Sequence, residues 1–186
     1  MMGAGVTLMV RARLGLGPWD VLHQGIASRT GIAIGTVGIL VGFAVLLLWI
    51  PMHERPGIGT VANMLGVGLV IDATMPLLHA PGSLVVRVLF LVVGVSAFAP
   101  GVALYVGASL GPGPRDGIMT NLASRGLSIR AARTIVELAA LGLGFLLGGT
   151  VGVGTVLFAV AIGPSTQWWM HRLPAYAPSP TTTPVS

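Results

Sequence analysis

The apolar residues of this chain fall in long runs separated by short polar gaps. Residues 32–51, 58–78, 84–110, 134–148 and 151–170 hold most of them. A helix rising ~1.5 Å per residue crosses a hydrocarbon layer of ~30 Å in about 20 residues, and most of these runs have that length. Residues 1–14 are also apolar but extend only about 21 Å as a helix. Between them, the stretches 15–31 and 111–125 each hold a short helix, read at residues 20–30 and 114–125. Each opens on Gly-x-Gly-Pro, with proline at a first helical position, and each has a glycine just past its end. At ~13 residues such a helix is too short to cross, so it lies at the interface or dips in and returns. The pattern predicts an all-α membrane protein of about six spans, the first shortened, with two short re-entrant or interfacial helices.

The two short helices are also copies. Gly15, Gly17, Pro18, Asp20, Ala27, Ser28 and Arg29 recur ninety-six residues later as Gly111, Gly113, Pro114, Asp116, Ala123, Ser124 and Arg125. One residue is then lost, and at an offset of ninety-five Gly31, Ile34, Gly57, Gly59, Thr60, Val61 and Gly68 meet Gly126, Ile129, Gly152, Gly154, Thr155, Val156 and Gly163. Residues 1–80 and 84–173 are therefore expected to be two repeats. With three spans per repeat, the second inserts upside down relative to the first. Residues 101–110 align with residues 5–14, whereas the second-half helix begins near residue 84, so the first helix is expected to be N-terminally truncated and Met1 not to be the natural start. Residues 174–186, rich in proline, threonine and serine, are expected to form a disordered tail.

Composition agrees with a lipid environment. Of 186 residues 54% are hydrophobic and only 8% charged, against roughly a quarter in an average globular chain. The net charge of +5 comes wholly from arginine, spread through the gaps, with no clustered basic face interleaved with aromatic platforms, so nucleic acid is not an expected partner. Cysteine is absent, which removes disulfides and thiol chemistry. The N-terminus has no cleavable-signal pattern. Under the inverted plan one side collects six arginines and the other four, which favours cytoplasmic termini. Trp168 and Trp169 fall where an interfacial aromatic belt is expected.

Candidate chemistry lies on the short helices. Asp20, Gln24 and Ser28, and again Asp116, Thr120 and Ser124, are spaced i, i+4, i+8 and so share one helical face. They are candidate solute-binding groups if two inverted stripes meet near the membrane centre. The alternative is that the aspartates cap their own helices and the serines bond backbone carbonyls. Arg29 and Arg125, at the helix ends, suit the negative dipole end and are candidates for contact with an anion or headgroup.

Asp72 and Glu137 sit inside apolar runs, where an acid is costly. Glu137 has Arg133 four residues earlier as a helical partner. Asp72 has no local partner, and is a candidate for proton coupling or for a bond to another helix. Pro76 is expected to kink the helix carrying Asp72.

Residues 107–111 match Gly-x-Ser-x-Gly, but a helix rather than a strand precedes Ser109, so a nucleophile elbow is not expected. The four histidines show no ligand spacing. The chain is thus expected not to be an enzyme and to use no metal or cofactor.

Gly-Leu-Gly-Pro-Trp-Asp-Val-Leu-His-Gln-Gly from Gly15, Gly-Thr-Val-Gly-Ile-Leu-Val-Gly from Gly35 and Arg-Pro-Gly-Ile-Gly-Thr from Arg55 resemble the bacterial YczE membrane proteins, often grouped with the YitT family. The resemblance implies a multi-pass protein of the bacterial cytoplasmic membrane and carries no catalytic residues with it. The expected function is that of a transporter-like protein for a small solute, with the lipid bilayer as its surroundings. The alternative is a non-transporting accessory protein that scaffolds a membrane complex. A homo-oligomer or a partner in such a complex is compatible with the glycine-rich helix faces.

Overall fold

The computed structural model describes residues 1–173 except Ser109 and Pro112, and leaves the side chain of Thr120 undescribed. The predicted tail, Ser109 of the Gly-x-Ser-x-Gly match and the side chain of Thr120 therefore lie outside the described residues. Eight α-helices follow in order: α1 Met2–Ala12, α2 Pro18–Thr30, α3 Ile34–Met52, α4 Ile58–Thr74, α5 Leu84–Gly107, α6 Pro114–Ser124, α7 Ile129–Leu146 and α8 Val153–Arg172. A 3₁₀ turn, Met75–Leu77, extends α4, so Pro76 ends the α-helical ladder instead of kinking a longer helix. Among the described residues three helical stretches are long and apolar enough to cross a membrane: Ile34–Met52, Ile58–Leu77 and Leu84–Gly107. The α7 and α8 helices are 18 and 20 residues long but more polar.

The helices begin where the glycines and caps dictate. Gly57 N–H donates to Thr60 Oγ1 at 3.1 Å at the start of α4, and Gly152 N–H donates to Thr155 Oγ1 at 3.2 Å at the start of α8. This holds the start of α8 to Val153, two residues inside the apolar run. Ser128 caps α7, its side chain accepting from Ala131 N–H at 3.2 Å.

Packing centres on α1 and α5, which cross where Gly5 and Gly94 face one another. A Cβ added to either would lie 2.7 Å from the other's carbonyl oxygen, so the crossing needs glycine on both sides. Arg87 of α5 fixes the end of α1 by donating to Ala12 O and Arg13 O, both at 2.7 Å. Around this pair α4 packs on α1, α8 on α5, α2 on α3 and α7, and α6 on α3 and α7. The main core lies where α1, α4, α5 and α8 meet, with Val6, Met9, Ile71, Val95 and Phe98 buried. Phe98 and Phe158 meet there edge to face, centroids 5.3 Å apart.

One contact occurs twice. Gly59 N–H of α4 donates to Leu110 O at 2.9 Å, and Gly154 N–H of α8 donates to Leu14 O at 2.7 Å. The turn before each short helix is thus seated on the N-terminus of a long one. The outward faces stay apolar and exposed, with Leu47 at 65%, Val85 at 69% and Val160 at 69%. Such continuous apolar exposure fits contact with lipid.

Candidate functional site

The turns that start α2 and α6 need a backbone that L side chains rarely adopt. Gly15 has φ of +113° and Gly111 φ of +117°. There is also no room: a Cβ would lie 2.7 Å from Thr155 Oγ1 at Gly15 and 2.9 Å from Thr60 Oγ1 at Gly111. Seated in this way, the N-terminal ends of both short helices reach a cavity of ≈ 790 Å³ to which all eight helices contribute.

The cavity wall is apolar over α1 and much of α5, where Val6, Phe98 and Val102 lie. Its polar groups gather at the two short helices. Asp20 of α2 is buried, with Oδ1 3.7 Å from Nδ1 of His23, one helical turn on. In α6 Oδ2 of Asp116 accepts from Gly113 N–H at 3.1 Å, a cap for its own helix. Between the helices the guanidinium of Arg115 lies over the ring of Trp19, with Cζ 5.1 Å from the centroid. Tyr105 of α5 donates from its hydroxyl to Gly111 O at 2.8 Å and ties the second turn to the wall. On the α7 side Arg133 Nε meets Glu137 Oε1 at 2.9 Å, the helical pair expected from their spacing. Asn63, Thr166 and Gln167 complete the polar lining.

Among the described side chains of the two polar stripes, Asp20 and Asp116 reach this cavity. On α2 the stripe runs from the cavity onto the α7–α8 turn: Gln24 Oε1 accepts from Thr150 N–H at 2.6 Å, and Ser28 Oγ donates to Gly25 O of its own helix at 2.8 Å and to Leu147 O at 3.5 Å. Arg29 donates from Nε to Leu147 O at 3.2 Å and from Nη2 to Leu146 O at 3.4 Å, so it caps the C-terminus of α7 rather than its own helix. On α6 Ser124 Oγ donates to Asn121 O at 2.7 Å, and Arg125 is exposed.

Asp72 finds its partner across helices. Its Oδ1 accepts from Gly35 N–H at 2.6 Å, and its Oδ2 accepts from both Thr36 N–H and Thr36 Oγ1 at 2.7 Å. A carboxylate on α4 thus satisfies the unpaired donors at the start of α3, where the helix dipole is positive.

Trp19, His23, Arg115 and Tyr105 were not singled out by the sequence pattern. A signal existed for two of them, because Trp19 and Arg115 occupy the same place in the two copies of the Gly-x-Gly-Pro motif. Their difference is what brings a cation onto a ring.

Residues 1–171 match the model of DUF6198, a family of unknown function. The chain belongs to that family. It is 42% identical over 178 residues to an uncharacterized protein of Haemophilus influenzae, covering 94% of this chain and 82% of the relative. It is 32% identical over 163 residues to the uncharacterized membrane protein YczE of Bacillus subtilis, covering 86% and 75%. Similarity to the uncharacterized protein YyaS of Bacillus subtilis is 27% over 169 residues, covering 84% and 81%. No solved structure matches the chain. This DUF6198 chain is thus YczE-like, as its glycine motifs indicated, and is a membrane protein.

Proposed function

We propose that this membrane protein is transporter-like, moving a small solute through the cavity where its two short helices meet. In this reading the chain is an inverted pair of three-span repeats in the cytoplasmic membrane of a bacterium, with its termini on the cytoplasmic side. The observation that carries the reading is the convergence of the N-terminal ends of α2 and α6 on one cavity lined by all eight helices. Helix ends at membrane depth are tolerated where they line such a space, and discontinuous helices form the sites of many transporters. The doubled contact of Gly59 with Leu110 and Gly154 with Leu14 supports the inverted plan, since one turn-on-helix junction is used once in each half. The cavity's volume lies in the range of small-molecule sites.

The residues assigned to the solute are Asp20, His23, Arg115 and Asp116, with Trp19 beneath them. Gln24, Ser28 and Arg29 are assigned to holding α2 on the α7–α8 turn, and Asp72 to capping α3 rather than to proton coupling. Proteoliposomes loaded with a bacterial small-molecule extract test the reading, with efflux followed by mass spectrometry. The purified protein should release a subset of solutes faster than protein-free liposomes, and Val102→Trp, which fills the cavity, should abolish that release. If no solute leaves faster, the transport reading fails.

A further inference from the structure

Resting on the reading of the cavity as a solute site, we propose that it takes a small organic acid, held through its carboxylate by Arg115. The argument is an inventory of hydrogen-bonding capacity. Two of the carboxylates that line the cavity are engaged, Asp116 by Gly113 N–H and Glu137 by Arg133, and Asp20 stands 3.7 Å from His23. Two donors are not engaged. Among the described residues the guanidinium of Arg115 has no carboxylate within ion-pair distance and no hydrogen-bond acceptor, its one close partner being the Trp19 ring. Trp19 itself lines the cavity at 8% exposure, and its indole N–H is buried without an acceptor. These two donors are therefore the ones short of an acceptor.

Geometry narrows the acceptor to a carboxylate. An aromatic ring engages the face of a guanidinium, while its N–H groups lie in the guanidinium plane in a fork that matches a carboxylate in two parallel bonds. The two helix N-termini add partial positive charge, largely offset by Asp20 and Asp116, so the field favours a single negative charge over a multiply charged anion. The remaining wall, with Val6, Phe98, Val102 and Phe158, suits a hydrocarbon or aromatic body.

The test uses the full chain in detergent with three probes: benzoate, benzylamine and inorganic phosphate. Binding is read from the thermal unfolding midpoint and from tryptophan fluorescence. Benzoate should stabilise the protein saturably, and benzylamine and phosphate should not. Arg115→Gln should weaken benzoate by about tenfold or more, and Arg115→Lys, which keeps the charge and loses the fork, by less. Trp19→Phe, which removes the indole N–H, should abolish the fluorescence response and weaken benzoate, though by less than Arg115→Gln.

Benzylamine binding without benzoate would overturn the organic-acid assignment and leave the cavity as a solute site. Binding of none of the probes would overturn the organic-acid assignment, and the extract efflux experiment then decides whether the cavity takes a solute at all. Phosphate binding as well as benzoate, or wild-type benzoate affinity in either Arg115 variant, would also overturn that assignment. Should Arg115→Gln fail to fold, Arg115→Lys decides alone.

Discussion

The α3–α4 pair and the α7–α8 pair align with one another at an offset of ninety-five residues, yet they are built differently. The first is sewn shut. Gly35 and Gly68 face each other so closely that a Cβ at Gly68 would lie 2.6 Å from Gly35 O, and Asp72 reaches across to cap α3. At the ninety-five offset Gly35, Gly38, Gly42 and Asp72 become Arg130, Arg133, Glu137 and Gln167. Gly68 keeps its glycine as Gly163, but a Cβ there would meet nothing within 4 Å. Arg133, Glu137, Gly163 and Gln167 all line the cavity. Gly38, Gly42 and Gly68 line the same cavity, so at the aligned positions α3 and α4 present small residues and a tight seam where α7 and α8 present charged and polar side chains.

The largest expected effect breaks the seam. Gly68→Val should destabilise the protein by about 3 kcal/mol, because the new side chain meets backbone that cannot move aside, whereas Gly163→Val should stay within about 0.5 kcal/mol. Thermal unfolding of the two variants side by side checks this, and equal losses would contradict the contrast. Next comes the cap: Asp72→Asn should cost about 2 kcal/mol, since one amide oxygen cannot replace two charged ones accepting three bonds. Gln167→Ala should cost less than Asp72→Asn in the same unfolding assay. The smallest contrast lies at the ends of the short helices. Arg29→Ala removes a cap from the C-terminus of α7 and should cost about 0.5 kcal/mol, while Arg125→Ala at an exposed position should be close to neutral by the same measurement.

Much of this was legible because membrane helices are written in composition and punctuated by glycine and proline. The apolar runs marked the long helices. Gly-x-Gly-Pro and the glycine past each end marked α2 and α6 to within a residue or two. The run at residues 84–110 overshot because hydropathy does not register where backbone bonding stops, and α5 ends at Gly107.

The site was legible only in outline. Periodicity placed Asp20, Gln24 and Ser28 on one face. It could not tell that this face runs along α7, so that one end meets a cavity and the other meets Thr150 N–H. The partner of Asp72 is the start of α3, 36 and 37 residues away in sequence, and only packing brings it there. The stacking of Arg115 on Trp19 likewise depends on two short helices meeting, which no local pattern encodes.

The account depends on α2 and α6 reaching one cavity from opposite faces of the membrane. Because the chain has no cysteine, Thr30→Cys and Arg125→Cys place single labels at the exposed C-terminal ends of the two helices without further changes. A membrane-impermeant maleimide applied to intact cells should label one of them and reach the other only after permeabilisation. Labelling of both from the same side alone would contradict the account.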